Sequence, residues 1–202
     1  MTKIKFCGLS RSCDIEAANE LKPEYVGFVF AKKSKRYVTP EKAKELKQLL
    51  DPEIKAVGVF VNENPERAAL LLNNNVIDIA QLHGSEDEDY IRQLRNLTDK
   101  SIIKAFRIET AGDIADTESC TADYVLLDSG AGTGTVFDWK LIQDIRRPYF
   151  LAGGLGVHNV KNALKSLHPF AVDVSSGIET NGVKDKIKMT EFAAAVRKEK
   201  RV

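Results

Sequence analysis

The sequence has few of the residues that mark several large classes of protein. It contains only three cysteines in 202 residues, Cys7, Cys13 and Cys120, and none of them forms a CxxC pair. Cysteines this few and this scattered exclude a disulfide framework and argue against a structural zinc site. No run approaches the roughly 18 apolar residues that a membrane span needs, and the N-terminal segment lacks the apolar stretch of a signal peptide. We therefore expect a cytoplasmic protein with no membrane partner.

An excess of charge of one sign is also missing. Lys and Arg total 30 and Asp and Glu total 29, which gives a formal net charge of +1. This balance offers no electrostatic basis for binding nucleic acid, and the one local exception is the basic run at 32–36. Hydrophobic residues make up 43 % of the chain, enough to bury a core. The length suits one domain, which we expect to span residues 1–202.

Short apolar runs alternate along the chain with longer amphipathic stretches. The runs predict strands at 4–7, 25–30, 55–61, 77–82, 102–106, 124–127, 149–152 and 171–174. The amphipathic stretches predict helices at 11–20, 40–50, 65–74, 86–96, 110–117, 138–145, 157–166 and 184–198. Eight such units predict an α/β fold, a single (β/α)₈ barrel of the TIM type. An open doubly wound sheet is the alternative, but no GxGxxG motif follows the first strand.

Polar residues follow the predicted strands at their carboxyl ends, where barrels of this kind carry their chemistry. Cys7 ends the first strand, Asp128 follows the apolar run 125–127, and Asp173 lies in the eighth strand. A carboxylate so close to apolar strand residues is costly to bury without a purpose, although turn or N-cap aspartates are the alternative for both. Cys7 alone is weak evidence, because a free cysteine in a strand usually packs as a small hydrophobic residue.

Two glycine-rich loops follow the seventh and eighth predicted strands. The first contains Gly153 and Gly154, and the second contains Ser176 and Gly177. Glycine lets backbone N–H groups approach an anion closely, and these two loops form the common phosphate site of the fold. Tight turns without a ligand would use the same residues, but the joint position favours phosphate. A third glycine-rich loop, at 129–135, could hold an anion or act as a lid.

Two further polar residues at strand ends have both a functional and a structural interpretation. Arg36 could bind an anion or be part of a solvated basic loop, and His83 could act in the site or only hydrogen-bond within its own loop. No group of His, Asp, Glu and Cys has the spacing of metal ligands, so we expect no metal site. No Ser/His/Asp triad is suggested either.

The residues at the strand ends match a known family. Over essentially its whole length the chain resembles the phosphoribosylanthranilate isomerases, enzymes of tryptophan biosynthesis. The matching segments are KFCGL at 5–9, GFVF at 27–30 with SKR at 34–36, VGVFVN at 57–62, QLHG at 81–84, KAF at 104–106, LD at 127–128, GTG at 132–134 with FDW at 137–139, LAGGL at 151–155 and VDVSSGIE at 172–179.

The resemblance implies an enzyme that catalyses an Amadori rearrangement without a cofactor. The substrate is N-(5′-phosphoribosyl)anthranilate and the product is 1-(2-carboxyphenylamino)-1-deoxyribulose 5-phosphate. At matching positions the family implies Cys7 as the general base, Asp128 as the general acid and Arg36 as the partner of the anthranilate carboxylate. The backbone around Gly154 and Ser176-Gly177 is expected to bind the phosphate.

The remaining expectations also follow from the resemblance. We assign His83, Asp173 and Gly153 to substrate binding as well. The expected partner is a small phosphosugar, and the expected state is a monomer or a homodimer. A thiolate suits proton abstraction only if its pKa is lowered from about 8.5, for example by a cation or a helix dipole.

The sequence departs from the family pattern at two positions. Phe6 stands beside the cysteine where a smaller aliphatic residue is expected, and Thr135 occupies a place where the family often has lysine. The loop after the sixth strand is also short. These departures leave the predicted acid and base in place, and they bear on turnover and lid closure.

Two competing functions fit parts of the pattern. One is an isomerase of the same type acting on the aminoaldose of histidine biosynthesis, or on both substrates, but those relatives resemble half-barrel duplications and have aspartate where this chain has Cys7. The other is a non-catalytic phosphate-ligand sensor. The joint presence of Cys7, Arg36 and Asp128 argues against it.

Overall fold

Eight parallel strands close into a barrel in the computed structural model, which describes residues 1–128, 139–143 and 145–198. Each strand pairs with the next in sequence, and the eighth closes on the first. The strands are β1 Lys3–Cys7, β2 Tyr25–Val29, β3 Lys55–Phe60, β4 Ile79–Leu82, β5 Ser101–Arg107, β6 Tyr124–Asp128, β7 Tyr149–Leu151 and β8 Ala171–Val174. The prediction of a single (β/α)₈ barrel is confirmed.

Helices cover the outside of the barrel, and local sequence signals fix where several of them begin. Thr39 and Asn64 each cap a helix that has proline at its first position, and the Asp87 carboxylate accepts a hydrogen bond from the Tyr90 N–H. Each such cap stabilises its helix by about 1 kcal/mol. The helices are α1 Ser12–Leu21, α2 Pro40–Leu49, α3 Pro65–Asn73, α4 Glu88–Leu97, α5 Ala111–Ser119, α6 Val160–Ser166 and α7 Lys186–Lys198.

The strands are buried on both faces, which explains why they read as continuous apolar runs. One face packs against the helices, where Phe6, Phe28 and Phe60 are almost completely buried. The other face fills the inside of the barrel with a separate apolar cluster that includes Tyr25 and Phe150, whose rings meet edge to face at 5.3 Å. This filling leaves the carboxyl ends of the strands as the place for a cavity.

The helix predicted at 138–145 is wrong in type. Residues Trp139–Ile142 form a short 3₁₀ helix, and positions 138 and 144 lie outside the described residues. After this 3₁₀ helix, the guanidinium of Arg147 donates hydrogen bonds to the backbone carbonyls of Thr117, Cys120 and Ala122, in the last turn of α5 and just beyond it. The glycine-rich loop predicted at 129–135 also lies outside the described part of the chain.

The last predicted helix, 184–198, begins two residues later than expected because a small hairpin precedes it. The hairpin pairs β9 Glu179–Thr180 with β10 Val183–Lys184. Its turn residues, Asn181 and Gly182, have φ values of 53° and 80°, the left-handed conformation that an Asn-Gly turn of this kind requires. Among the helices that the structure describes, none is long and apolar enough to cross a membrane.

Candidate active site

A cavity of about 410 Å³ opens at the carboxyl ends of the barrel strands. This volume lies within the usual range for small-molecule sites. The cavity is more than twice as large as a pocket of about 160 Å³ beside α1 and α7, on the outside of the barrel. Its lining brings together all the predicted site residues but Gly177: Cys7, Arg36, His83, Asp128, Gly153, Gly154, Asp173 and Ser176.

Cys7 lies at the end of β1 with its side chain on the inner face of the barrel, where it is 8 % exposed and contacts Val29 and Val59. The parallel register places Gly27 of β2 beside it. Burial raises the pKa of the Cys7 thiol, while the positive charge of the neighbouring Lys5 acts in the opposite direction. The Cys7 thiol therefore lies at the cavity wall, where nearby charges affect its pKa.

Asp128 and His83 form a hydrogen-bonded pair across the cavity rim. His83 Nε2 lies 3.2 Å from Asp128 Oδ2, and His83 Nδ1 lies 2.8 Å from the Gln81 side-chain nitrogen. With the Gln81 amide donating to Nδ1, the imidazole carries its proton on Nε2 and donates it to the carboxylate. Gln81 is almost fully buried, so it fixes the ring of His83, and His83 in turn orients Asp128.

Arg36 reaches the cavity from the loop between β2 and α2. Its Nε and Nη2 atoms lie 2.6 and 2.8 Å from the two carboxylate oxygens of Glu179, a bidentate ion pair. Lys184 Nζ also contacts Glu179, at 2.5 Å. Burial alone would raise the pKa of Glu179, but the hydrogen bonds from Arg36 and Lys184 outweigh it and hold that pKa below its ordinary value. The pair occupies the edge of the guanidinium that carries Nε and Nη2, and the Nη1 edge lies outside this bidentate contact.

Glycines make the close approaches in this part of the site possible. Gly8 has a φ of 79°, and a Cβ there would lie 2.4 Å from Arg36 Cδ, so the arginine side chain passes directly over it. At Gly177 a Cβ would lie 2.0 Å from the carbonyl oxygen of Leu155. The loops after β7 and β8 are therefore in direct backbone contact, and no residue other than glycine fits at that contact.

The loop after β7 turns through Gly153 and Gly154, whose φ values of 86° and 61° are left-handed. The Asn159 side chain closes this loop by accepting from the Gly156 N–H and donating to the Gly154 carbonyl. Ser176 lines the cavity from the neighbouring loop, and Gly177 stands just behind it against Gly156. Side-chain-free backbone on two adjacent loops is the arrangement that phosphate sites of this fold use.

Two buried charged residues that the sequence analysis did not single out hold the loop that carries His83. The Glu86 carboxylate accepts hydrogen bonds from the N–H groups of Asn62 and Gly84. Lys104 Nζ lies 3.3 Å from Glu86 and 2.7 Å from the Gly84 carbonyl oxygen. Glu86 stands at the first position of the helix predicted at 86–96, so its sequence context indicated an ordinary helix start.

Together the fold and the cavity define an enzyme of the (β/α)₈-barrel class, with a thiol, a carboxylate–imidazole pair and an arginine facing two glycine loops. Within residues 1–128, 139–143 and 145–198, no group of three or more His, Cys, Asp or Glu side chains could hold a metal ion.

Comparison with known proteins identifies the family within this class. The family model of N-(5′-phosphoribosyl)anthranilate (PRA) isomerase matches residues 4–195. The N-(5′-phosphoribosyl)anthranilate isomerase of Thermoanaerobacter pseudethanolicus is 47 % identical over 204 residues, which cover 98 % of each chain. The chain therefore belongs to the N-(5′-phosphoribosyl)anthranilate isomerase family, and it is an isomerase.

Two solved structures support the same assignment. One is a crystal structure of monomers generated from the dimeric phosphoribosylanthranilate isomerase of Thermotoga maritima, with a TM-score of 0.87 and 36 % identity. The other is a phosphoribosylanthranilate isomerase in complex with reduced 1-(o-carboxyphenylamino)-1-deoxyribulose 5-phosphate, with a TM-score of 0.86 and 35 % identity. Each alignment covers 98 % of this chain and 100 % of the relative.

Proposed function

We propose that this chain converts N-(5′-phosphoribosyl)anthranilate to 1-(2-carboxyphenylamino)-1-deoxyribulose 5-phosphate in tryptophan biosynthesis, with Cys7 as the general base and Asp128 as the general acid. The observation that carries this proposal is that both side chains line one cavity together with Arg36 and the two glycine loops. β1 and β6 are separated by β7 and β8 around the ring, so the thiol and the carboxylate can reach different parts of one substrate.

The proposed reaction opens the sugar ring before it moves the double bond. Asp128, in its protonated form, transfers its proton to the furanose oxygen. The lone pair of the anthranilate nitrogen forms the C1′=N bond as the C1′–oxygen bond breaks, which gives the protonated Schiff base and the Asp128 carboxylate. The Cys7 thiolate then removes the C2′ proton, and the imine nitrogen accepts the electron pair to form the enolamine. The enolamine gains a proton at C1′ and loses the O2′ proton, which gives the ketone.

The other residues bind the two ends of the substrate. The edge of Arg36 that carries Nη1 would donate charge-assisted hydrogen bonds to the anthranilate carboxylate, and His83 would orient Asp128 beside the sugar. The loops containing Gly153, Gly154 and Ser176-Gly177 would bind the phosphate dianion. Asp173 would contact a sugar hydroxyl from β8. The reaction requires no cofactor, because the substrate's own nitrogen forms the imine.

The proposal extends to the assembly and location of the protein. Residues 1–202 would act as one catalytic domain in the cytoplasm, as a monomer or a homodimer, with neither nucleic acid nor membrane as a partner. The balanced charge supports the absence of a nucleic-acid partner, and the dimeric Thermotoga relative supports the homodimer.

The test is turnover by the purified protein of N-(5′-phosphoribosyl)anthranilate and, separately, of the aminoaldose from histidine biosynthesis. We expect activity on the first substrate, and a loss of about 10²–10⁴-fold in kcat in both Cys7→Ala and Asp128→Asn. Asp128→Asn keeps the shape of the side chain that contacts His83, so its loss reports the missing acid. Near-normal turnover by Cys7→Ala would contradict the proposed mechanism. Activity on the aminoaldose alone would show that the aminoaldose, and not N-(5′-phosphoribosyl)anthranilate, is the substrate.

A further inference from the structure

Lys5 is a lysine with no exposed surface, on the inside of the barrel. Lysine is almost never fully buried unless it is paired, because an ammonium loses its hydration there. The strand alternation places Lys5 and Cys7 on the same inner face of β1, two residues apart, whereas Ile4 and Phe6 pack toward the helices. A buried cation therefore lies next to the proposed catalytic thiol.

The neighbouring strand supplies the partner of this lysine. In the register of β1 with β8, Lys5 is beside Asp173, and Lys5 Nζ lies 3.0 Å from Asp173 Oδ1. Asp173 is only 8 % exposed, so the ion pair lies in a region of low dielectric, where charges act strongly on one another.

The strand on the other side leaves room for the lysine to reach the thiol. A Cβ at Gly27 of β2 would lie 2.8 Å from Cys7 Sγ and 3.3 Å from Lys5 Nζ. The sulfur and the ammonium thus border the same small space, which exists because position 27 has no side chain. The positive charge of Lys5 is therefore close enough to act on the Cys7 sulfur.

We propose that Lys5 is a positioning residue that stabilises the thiolate form of Cys7, and that Asp173 holds Lys5 in place while opposing that stabilisation. The inference rests on the proposed function, because it explains how Cys7 could act as a base inside an apolar barrel. Lys5 does not touch the reacting atoms; it acts through the sulfur.

The signs of the surrounding charges support these opposite effects of Lys5 and Asp173 on Cys7. Burial raises the pKa of Cys7, Lys5 is the strongest influence lowering it, and Asp173 raises it further. Burial also works against the Lys5 ammonium, but the negative charges of Asp173 and Cys7 outweigh it, so the pKa of Lys5 lies above its ordinary value.

Other charged groups reach Cys7 from the elements packed against this end of β1. Lys184, on β10, also lowers the pKa of Cys7, and Arg36 interacts with Cys7 from the loop after β2. Glu179 neutralises part of both charges by pairing with them. Because these groups stay unchanged when Lys5 or Asp173 is replaced, the two variants isolate the effect of the Lys5–Asp173 pair on Cys7.

The test is the rate at which iodoacetamide alkylates Cys7 across a pH series, measured for the Cys7 peptide by mass spectrometry so that Cys13 and Cys120 do not contribute. In Lys5→Met the midpoint of the Cys7 titration should move up, and alkylation below the midpoint should slow by about tenfold or more, one pKa unit being a factor of ten. In Asp173→Asn the midpoint should move down, and alkylation below it should accelerate several-fold. Opposite shifts support the proposal.

Loosening of the site would give a different result. If Lys5 and Asp173 only hold the barrel together, both variants would expose the thiol and move its midpoint in the same direction, toward the ordinary value of about 8.5. Shifts in the same direction, or no shift in either variant, would overturn the proposal.

Removal of Lys5 alone leaves Asp173 buried without a partner, so the variant Lys5→Met could fail to fold. The double variant Lys5→Met with Asp173→Asn removes both charges and avoids that problem. Its Cys7 midpoint must lie above that of Asp173→Asn alone, because the cation is the only further change. An equal or lower midpoint would overturn the proposal without any need for the single variant.

Alkylation is measured without substrate, so it tests the effect of Lys5 and Asp173 on Cys7 independently of the reaction. If Cys7 is also the base, the acid limb of the kcat/KM profile in Lys5→Met should move to higher pH by the same amount as the alkylation midpoint. An alkylation shift with an unchanged activity profile would support the effect of Lys5 on Cys7, but it would contradict the role of Cys7 as the base in the proposed function.

Discussion

The guanidinium of Arg36 is held in place by the protein before any ligand binds. Glu179 occupies its Nε and Nη2 atoms, and the side chain lies flat over Gly8, where a Cβ would collide with it. Holding a long side chain in one conformation removes the ordering cost that binding would otherwise carry. The residue that sets the orientation of Arg36 is thus a carboxylate located 143 positions later in the chain.

Substitution of Glu179 tests this arrangement. In Glu179→Gln the bidentate ion pair is lost and Arg36 becomes free to rotate, so we expect KM for N-(5′-phosphoribosyl)anthranilate to rise by about tenfold with a smaller change in kcat, as for a loss of uniform binding. An aniline analogue without the carboxylate should show little change in KM. Glu109→Gln, which removes an exposed ion pair with Arg107, is the matched control. Equal effects on both substrates would show that Glu179 does not act through carboxylate recognition.

At the scale of elements, the site depends on loops that are fixed by backbone contacts and by buried charges. The loops after β7 and β8 meet at Gly177, and the loops after β3 and β4 are joined by Glu86 and Lys104. Loops held in this way can present backbone N–H groups and the His83 ring in one conformation. Each connection can be broken separately by substitution.

The loop after β7 can be tested with inorganic phosphate. In Gly154→Ala the new methyl group at a cavity-lining position should weaken competitive inhibition by phosphate by about tenfold and raise KM, besides the strain of about 1 kcal/mol at a positive φ. Gly182→Ala is the matched control, because Gly182 also has a positive φ but has no neighbouring atom within 4 Å of the position that a Cβ would take. If both variants keep normal phosphate inhibition, the phosphate binds elsewhere.

The loop after β4 can be tested through stability. Glu86→Gln leaves the buried Lys104 ammonium without a negative partner, so we expect the free energy of unfolding in urea to fall by about 3–5 kcal/mol. Glu63→Gln, which removes the partly exposed partner of the half-exposed Arg67 at 4.0 Å, should cost less than about 1 kcal/mol. Addition of Lys104→Met to Glu86→Gln should restore part of the loss. A loss as small as that of the control would show that the pair contributes little.

The elements themselves could be predicted from the sequence because their signals are local. Buried parallel strands are continuous apolar runs, and Thr39-Pro40 and Asn64-Pro65 mark helix starts. The hairpin at 179–184 was not predicted although Asn181-Gly182 is a strong turn signal, because its two strands have only two residues each and form no apolar run. The pairing of Lys5 with Asp173 could not be predicted, since it joins positions 168 apart and lysine is ordinarily exposed.

At the scale of the whole molecule, buried tyrosine hydroxyls make the free energy of unfolding decrease as the pH becomes alkaline. Burial raises the pKa of Tyr25 to about 12 and that of Tyr149 to about 12, against an ordinary value of 10.0. A group whose pKa is higher in the folded state stabilises that state below the unfolded pKa, and the stabilisation is lost as pH rises through the folded pKa. The relevant window for these two residues is therefore about pH 10 to 12.

A phenylalanine substitution tests this dependence. Tyr25→Phe keeps the ring that packs against Phe150 but removes the ionising hydroxyl, so its free energy of unfolding should fall less than that of the wild type as pH rises through this window. The measurement is urea unfolding at several pH values on both sides of about pH 10, with the partly exposed Tyr37→Phe as control. Identical pH slopes for Tyr25→Phe and wild type would contradict the prediction.

The closure of β8 on β1 has a consequence for the protein during its synthesis. Lys5 and Cys7 are synthesised long before Asp173, Ser175 and Glu179. The pairing of β8 with β1 closes the ring, and the Ser175 hydroxyl then donates a hydrogen bond to the Cys7 carbonyl. A nascent chain that stops short of β8 would leave the Lys5 ammonium without its counter-ion, and it could not enclose the cavity. Catalytic competence should therefore arise only after β8 has been synthesised, so that no stalled or truncated product lacking β8 works as a partial enzyme.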